Sequence, residues 1–185
     1  MKIGITGSLS SGKSSVAKIL SKNKKLLFSA DKVVKDLYVN KKFKKKIKRK
    51  FNIGREDIKQ EIKTKLLRKE ISLKKLGSII HPFVRVKMKE FYKKNRTRKI
   101  IFFEIPLLIE SKLMNFFDCI ILVVAPRKNR LKRYIKNGGK KNMFYLLDKN
   151  QIPAQKKIKY CDYLIVNNKS KPILKKKVKG IISHV

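Results

Sequence analysis

The chain has 185 residues, and 51 lysines and arginines against 12 aspartates and glutamates give it a formal charge of 51 − 12 = +39. Apolar residues make up 42% of the chain, which excludes the composition that keeps basic tails unfolded, and the length suits one α/β domain with room for an insertion. No apolar run approaches the roughly 20 residues of a membrane-spanning helix, and no signal-like segment precedes the first strand. We therefore expect a cytoplasmic protein that does not engage a membrane.

The positive charge has two interpretations. Nucleic acids and other polyanions would feel a surplus of this size. Compositional drift toward lysine would also produce it in a protein whose substrates are small anions. In the densest basic run, Lys41–Lys50, Phe43 and Ile47 lie four residues apart, which is typical of a helix with one apolar ridge. We favour drift, and we expect a monomer without a specific nucleic-acid partner.

Apolar runs and helical periodicity alternate along the chain. In chain order they predict strand Lys2–Thr6, helix Ser14–Ser21, strand Leu26–Ser29, a helical block from Lys32 to Asn95, strands Lys99–Ile105 and Cys119–Val124, helices Arg127–Lys136 and Asn142–Lys149, strand Tyr163–Val166 and helix Ile173–Ile182. Strands alternating with helices indicate an α/β fold with a parallel sheet covered on both faces. The helical block is then an insertion between the second and third strands.

The strongest chemical signal follows the first strand. Residues 7–14, called the phosphate loop below, match GxxxxGK[ST] at every fixed position and lie between a predicted strand and a predicted helix. The pattern predicts a P-loop NTPase-type sheet, because small residues let successive backbone N–H groups wrap a nucleotide phosphate at a helix N-terminus. Lys13 would reach the β- and γ-phosphates, and the Ser14 hydroxyl would ligate Mg²⁺. The residues expected to hold the phosphates are Ser8, Leu9, Ser10, Ser11, Gly12, Lys13, Ser14 and Ser15.

Two carboxylates follow predicted strands. Asp31 comes after the second strand, where it could orient an acceptor hydroxyl and take its proton in phosphoryl transfer, or could cap the next helix. Glu104 ends the third strand, where it could hold a magnesium-bound water or contact a basic neighbour. The pattern alone leaves both alternatives open at both positions.

Two further polar residues are candidates for substrate contacts. Glu110 could hold a substrate hydroxyl or pair with a lysine. His81 precedes Pro82, and because proline is favoured in a first helical turn, we expect one helix to end and another to begin there. A lone histidine in that place is more often a structural hydrogen-bonding residue than a catalyst.

The segment Arg127–Asn150 carries nine lysines and arginines with Asp148 as its one acid, and it has Gly138 and Gly139 in its middle. Such a segment is either a solvated pair of basic helices or a lid that closes over phosphates and supplies cations to the transferring group. The phosphate loop favours the lid. Its candidate cations are Arg130, Lys132, Arg133 and Lys136.

The motifs together resemble those of the dephospho-CoA kinase family over nearly the whole chain. The matching residues, in the family's order and approximate spacing, are Gly4-Ile5-Thr6-Gly7, Ser11-Gly12-Lys13-Ser14, Ala30-Asp31, His81-Pro82, Pro106-Leu107-Leu108 with Glu110, Gln151, Asp162 and Asn167-Asn168. The resemblance implies phosphoryl transfer from ATP, with Mg²⁺, to the ribose 3'-hydroxyl of dephospho-CoA.

The resemblance also implies a division of labour along the chain. Residues 1–31, 96–126 and 151–185 would form the nucleotide-binding core, residues 32–95 the acceptor-binding region, and residues 127–150 the lid. Lys13 and Asp31 would be catalytic, with Asp31 the base. Thr6, Asp31, His81 and Glu110 would contact the substrate, Ser14 and Glu104 the metal, and Asn167 would lie near adenine.

The chain departs from the family pattern in places. Ser8 stands where a second glycine is usual, Ser29 where the first aspartate of the family's Asp-Ala-Asp is usual, and lysines occupy some lid positions that are usually arginine. Lysine lacks the planar fork of arginine, so the lid would clamp a transition state less tightly.

Three other classes of protein share parts of this pattern. A regulatory GTPase would need an N-K-x-D base reader, and Asn168-Lys169-Ser170-Lys171 lacks the aspartate. An RNA-binding protein with a phosphate loop fits the charge, but no aromatic RNA-binding signature is present. A kinase for another small acceptor, such as a nucleoside, would share the chemistry and differ in the acceptor pocket.

Overall fold

A computed structural model describes residues 1–21, 26–54 and 56–182, which form two units. The core unit comprises Met1–Ser29 and Tyr92–Val185, and the helical unit comprises Ala30–Phe91. Arg55, within the predicted helical block, lies outside the described residues.

The core unit contains a five-stranded sheet. Its strands are β1 (Lys2–Gly7), β2 (Leu27–Ser29), β3 (Ile101–Glu104), β4 (Cys119–Val124) and β5 (Tyr163–Val166), all parallel, in the order β2-β3-β1-β4-β5. The fold class predicted from sequence is confirmed. Because β1 is central, the loop at its carboxyl end lies at the sheet edge where ligands bind in folds of this type.

Nine α-helices occur in the described ranges. They are α1 (Lys13–Leu20), α2 (Ala30–Leu37), α3 (Lys41–Phe51), α4 (Ile58–Leu67), α5 (Leu73–Asn95), α6 (Arg127–Lys136), α7 (Lys141–Lys149), α8 (Ala154–Lys157) and α9 (Lys171–Ile182). Short 3₁₀ turns lie at Met114–Phe116 and Ile158–Tyr160. The sequence did not predict α8 or these turns, because segments of three or four residues carry no readable periodicity. No helix in the described ranges is long and apolar enough to cross a membrane.

The two faces of the sheet are packed differently. On one face, α1 and α9 contribute Val16, Leu174 and Val178 to a buried cluster with Ile5 and Ile121 of the central strands. On the other face β1 has a glycine, Gly4, where a Cβ would lie 2.7 Å from Leu108 Cδ1 and 3.0 Å from Phe117 Cγ. The missing side chain lets the segment after β3 pack directly on β1.

The helical unit consists of α2, α3, α4 and most of α5. The apolar ridge predicted for the basic run is confirmed: Phe43, Ile47 and Phe51 are buried in α3, and the Phe43 ring makes edge contacts with Tyr38 and Phe83. Asn40 caps α3 through its side-chain oxygen, which accepts the Phe43 N–H at 3.0 Å. The lysines of α3 therefore lie mainly on its solvent side.

The expected break at His81-Pro82 is wrong, because α5 runs through both residues with Pro82 inside it. An interior proline lacks an N–H and its ring opposes the carbonyl four residues earlier, which costs about 3 kcal/mol. Burial offsets that cost on both sides of the proline, since Ile79 and Ile80 precede it and Met88 follows it in the core. Gly77 makes room for the histidine, because a Cβ there would lie 3.1 Å from His81 Cε1.

Candidate active site

The phosphate loop joins β1 to α1 through residues with left-handed backbone. Gly7 has φ 148° and Gly12 has φ 98°, and a Cβ at Gly7 would lie 2.1 Å from the Val123 carbonyl oxygen. Both glycines are therefore required by conformation or by space. Ser10 adopts φ 57° without being glycine. Its conformation has to be maintained by the groups on either side.

Lys13 begins α1 and points back over the loop. Its ammonium donates to the Ser8 carbonyl oxygen at 2.9 Å, and the residue is 6% exposed. The Ser11 N–H also donates to the Ser8 carbonyl oxygen, at 3.1 Å. The cation is thus held at the mouth of the loop, next to the N–H groups at the start of α1.

Ser14 and Glu104, the two predicted metal residues, lie together. The Ser14 hydroxyl donates to Glu104 Oε1 at 2.5 Å, and the Ser29 hydroxyl donates to Oε2 at 3.3 Å. Glu104 is 4% exposed. It is the last residue of β3 and pairs with Ser29, the last residue of β2, so its carboxylate lies where these two strands end. Neither contact is to a basic residue. The serine that replaces the family's aspartate instead supports this carboxylate.

Thr6 and Glu110 make buried contacts. The Thr6 hydroxyl donates to the Pro106 carbonyl oxygen at 3.1 Å and the residue is fully buried. Glu110 pairs with the ammonium of the buried Lys157 at 2.5 Å and accepts the Ile152 N–H at 3.1 Å. The lysine-pairing interpretation of Glu110 is confirmed, and a substrate contact for either residue stays a prediction.

The segment Arg127–Asn150 is a pair of helices, α6 and α7. Its glycines have a structural role, since Gly138 ends α6 with φ 81° and donates to the Ile135 carbonyl oxygen at 2.9 Å. Gly139 leaves room for Tyr134, whose ring would lie 2.2 Å from a Cβ there. The glycine pair is explained by this helix-ending turn, so it does not by itself indicate a mobile lid.

Two of the four candidate lid cations contact the phosphate loop. Arg133 donates to the Ser11 carbonyl oxygen at 3.2 Å and to the Asn167 carbonyl oxygen at 3.0 Å. Arg130 is 9% exposed and its Nη1 lies 3.4 Å from the Leu9 carbonyl oxygen. Lys132 and Lys136 are exposed. The segment is therefore not a fully solvated basic helix pair.

Asn167 follows β5 and lies against the loop. Its side-chain amide donates to the Ser11 carbonyl oxygen at 2.8 Å, and a Cβ on Gly12 would lie 2.1 Å from Nδ2. Gly12 is thus needed for this close approach as well as for its φ. The structure gives Asn167 a part in fixing the loop, and its contact with adenine stays a prediction.

Asp31 and His81 belong to the helical unit. Because α2 begins at Ala30, Asp31 lies inside the first turn and the helix-cap interpretation is wrong. A carboxylate in a first turn is still favourable, since it faces the positive end of the helix dipole. Asp31 is exposed. Its pairing with Lys13 in catalysis would bring together residues of two units, and it stays a prediction.

His81 is half-buried, and this burial, with the nearby charge of Arg85, lowers its pKa. The unfolded chain therefore binds a proton more readily than the folded chain. Stability should fall as the pH drops from above 6.5 toward the lowered pKa of the folded state. Between about pH 7.5 and about pH 5.5, the melting temperature of His81→Gln, measured by circular dichroism, should fall less than that of the wild type. An equal fall in the variant and the wild type would show that His81 is not the source of this pH dependence.

Several contacts at the site were missed by sequence reasoning. Gln151 was noted as a motif residue without a role, and its side-chain oxygen accepts the Leu9 N–H at 2.8 Å. Asp148 binds Arg127 and Arg130. Its isolation as the single acid in a basic segment was the available signal, since one carboxylate among nine cations attracts several of them.

A parallel sheet of this order, with a complete phosphate loop whose Ser14 hydroxyl donates to Glu104, defines a P-loop nucleotide-binding protein. A family model described as dephospho-CoA kinase matches residues 1–172. The chain belongs to the dephospho-CoA kinase family, which uses ATP.

Individual relatives agree with the family assignment. The chain is 34% identical to a dephospho-CoA kinase of Fusobacterium nucleatum, over 96% of this chain and 95% of that protein. It is 31% identical to that of Zymomonas mobilis, over 91% and 88%. Among solved structures, the dephospho-CoA kinase from Campylobacter jejuni has a TM-score of 0.66 at 25% identity, with 99% of this chain and 96% of that chain covered. A shikimate kinase from Acinetobacter baumannii, at 15% identity and TM-score 0.53 over 99% and 93%, shares the fold alone.

Proposed function

We propose that the chain transfers the γ-phosphoryl group of ATP to the ribose 3'-hydroxyl of dephospho-CoA, the last step of coenzyme A synthesis. The observation that carries this proposal is the phosphate loop, in which Lys13 is buried at the mouth and Ser14 is bonded to Glu104. Family membership supports dephospho-CoA as the acceptor. We expect a monomer in the cytoplasm.

The residues at the loop fit a magnesium ion. The Ser14 proton is directed at Glu104, which leaves the lone pairs of the hydroxyl for a cation, and the carboxylate is close enough to hold a metal-bound water. Within the described ranges no cluster of three or more His, Cys, Asp or Glu side chains could hold a metal by itself. Mg²⁺ typically binds through one or two protein oxygens plus nucleotide phosphates, so this sparse set suits it. When bound, Mg²⁺ would neutralise phosphate charge.

The protein residues divide the remaining work. Lys13 would neutralise charge between the β- and γ-phosphates. Among the four candidate lid cations, Lys132 and Lys136 are the two whose side chains are exposed to solvent. Asp31 would hold the acceptor hydroxyl and accept its proton, with residues 32–95 as the acceptor-binding region.

The experiment that tests the function is an acceptor comparison. Purified protein with Mg²⁺ and ATP would be assayed on dephospho-CoA, nucleosides and shikimate. We expect dephospho-CoA to be phosphorylated with the highest kcat/KM, and the product to be coenzyme A by mass spectrometry. Phosphorylation of a nucleoside alone, or of water alone, would overturn the acceptor while leaving the phosphate loop assigned.

The metal role of Glu104 gives a separate prediction. Glu104→Gln keeps the shape but removes the charge, so we expect a higher Mg²⁺ concentration for half-maximal activity, with near-normal turnover at saturating Mg²⁺. Ser29→Ala is the matched control, because it removes the longer hydrogen bond to the same carboxylate and leaves the contact with Ser14. An unchanged Mg²⁺ requirement in Glu104→Gln would reduce Glu104 to a strand-end hydrogen-bond acceptor.

A further inference from the structure

Both backbone polar groups of Leu9 are bound by side chains of the segment Arg130–Gln151. Gln151 Oε1 accepts the Leu9 N–H at 2.8 Å, and Arg130 Nη1 lies 3.4 Å from the Leu9 carbonyl oxygen. The next residue is Ser10, with its left-handed φ of 57°. Such a conformation is unfavourable for a non-glycine residue, so it persists only where neighbouring contacts fix the backbone.

Arg130 is itself held in place. Nη1 pairs with Asp148 Oδ1 at 2.5 Å, Nε donates to the Ala125 carbonyl oxygen at 3.2 Å, and the guanidinium lies 5.7 Å from the centroid of the Phe144 ring. Only 9% of the residue is exposed. With these partners, the Arg130 side chain is directed at the backbone of the loop. A mobile cation that clamps a phosphate would instead have its side chain in solvent.

We infer that Arg130 and Gln151 are positioning residues that fix the conformation of Leu9, and through it the N–H groups of the phosphate loop that wrap the nucleotide. Gln151 has the shorter contact with Leu9 and is expected to contribute more. Asp148 holds Arg130 in place for this purpose. The inference rests on the proposed function only in taking this loop as the nucleotide site.

The inference predicts a particular kinetic pattern. The loop N–H groups contact phosphates that are present in ADP and in ATP before transfer, so their misplacement weakens ground-state binding and the transition state alike. Such a loss raises KM for ATP and the Kd of ADP while kcat changes little. Loss of a cation that acts only on the transferring phosphoryl group would instead lower kcat.

Arg127 offers a matched control for Arg130. It lies on the same helix and pairs with the same carboxylate, Nε to Asp148 Oδ2 at 2.9 Å. Its side chain is exposed and lies over the Tyr145 ring at 5.1 Å, away from the loop. Arg127→Lys and Arg130→Lys therefore make the same chemical change beside Asp148, and only the second removes a contact to Leu9.

The test compares Gln151→Met, Arg130→Lys, Arg127→Lys and the double variant of Gln151 and Arg130. ADP affinity would be measured by calorimetry, and kcat and KM for ATP by a coupled assay. Gln151→Met leaves the Leu9 N–H without its acceptor, so we expect about tenfold weaker ADP binding and a similar rise in KM. Arg130→Lys should weaken ADP binding several-fold, and Arg127→Lys less than twofold. In the double variant, ADP affinity should fall by less than the product of the two single-variant factors, because both contacts fix the same residue, Leu9.

Two results would overturn the inference. One is ADP binding by Gln151→Met and Arg130→Lys that matches Arg127→Lys, and the other is a fall in kcat with unchanged Kd and KM. Circular dichroism checks folding, and the partly exposed Gln151 gives a second test if the buried Arg130 position does not tolerate lysine. Wild-type protein that binds no ADP would overturn the nucleotide site and this inference together. Wild-type protein that binds ADP but phosphorylates another acceptor would overturn only the choice of acceptor.

Discussion

Lys13→Ala is expected to lower turnover by about 10²–10³-fold or more while the fold is retained, because it removes a preorganised positive charge from the transferring phosphoryl group. The ammonium is buried and donates to the Ser8 carbonyl oxygen at 2.9 Å, so it is held beside the loop that would wrap the phosphates. Alanine leaves the phosphates beside the loop without this charge. The measurement is kcat for coenzyme A formation at saturating ATP and Mg²⁺.

A control on the same helix separates this effect from a general loss of positive charge. Lys18 lies in α1 with its side chain exposed, so Lys18→Ala removes an equal charge away from the loop. We expect it to retain turnover close to that of the wild type. Lys13→Ala with near-normal kcat would show that residues 7–14 are not the phosphate site, and the proposed function would then lose its main support.

Much of the fold could be predicted from sequence because the apolar runs are clear. The bounds of β4, β5 and α6 agree with the predicted segments, since each begins directly after an aspartate or a proline. The phosphate loop could be placed from its sequence context, because the motif requires a strand before it and a helix after it. The local sequence pattern was sufficient for these elements, because residues next to them in the chain determine where they begin and end.

Local pattern failed where tertiary packing decides. Pro82 is a helix breaker by its own chemistry, yet burial on both sides carries α5 through it. The glycine pair in residues 127–150 predicted mobility, whereas the structure uses it for a helix end and for the close approach of Tyr134. In both cases the residue's intrinsic preference was known, but the contacts that use or override it were not.

The site shows the same limit at longer range. Leu9 and Gln151 are 142 residues apart in sequence, and Ser11 and Asn167 are 156 apart. No periodicity links such pairs, so sequence reasoning assigned Asn167 to adenine by resemblance and left Gln151 without a role. Their contacts with the loop follow from the sheet order, which places β1, β4 and β5 side by side.

Asp31→Asn is expected to lower turnover by roughly 10²–10⁴-fold, the range typical of losing a general base, with ATP affinity little changed. The phosphate loop stabilises the transferred group but does not align the incoming hydroxyl, so a carboxylate must hold that hydroxyl and take its proton. Asparagine keeps the shape of the side chain but cannot accept the proton. Single-turnover kinetics with dephospho-CoA, together with ADP calorimetry, would separate the chemical step from nucleotide binding.

Asp31 lies in the first turn of α2, so it could act on the helix dipole and not on the acceptor hydroxyl. A carboxylate there stabilises the helix by about 0.3–1 kcal/mol through its dipole, so Asp31→Asn should also lower the melting temperature slightly. Asp36→Asn is the matched control, because Asp36 is an exposed aspartate of the same helix outside its first turn. It should retain both turnover and stability.

If Asp31→Asn lost stability but kept near-normal turnover, Asp31 would act only on the helix dipole, and the base would have to be sought elsewhere. A large loss of turnover with a small loss of stability would assign the proton transfer to Asp31, because the dipole effect alone cannot account for a hundredfold change in rate.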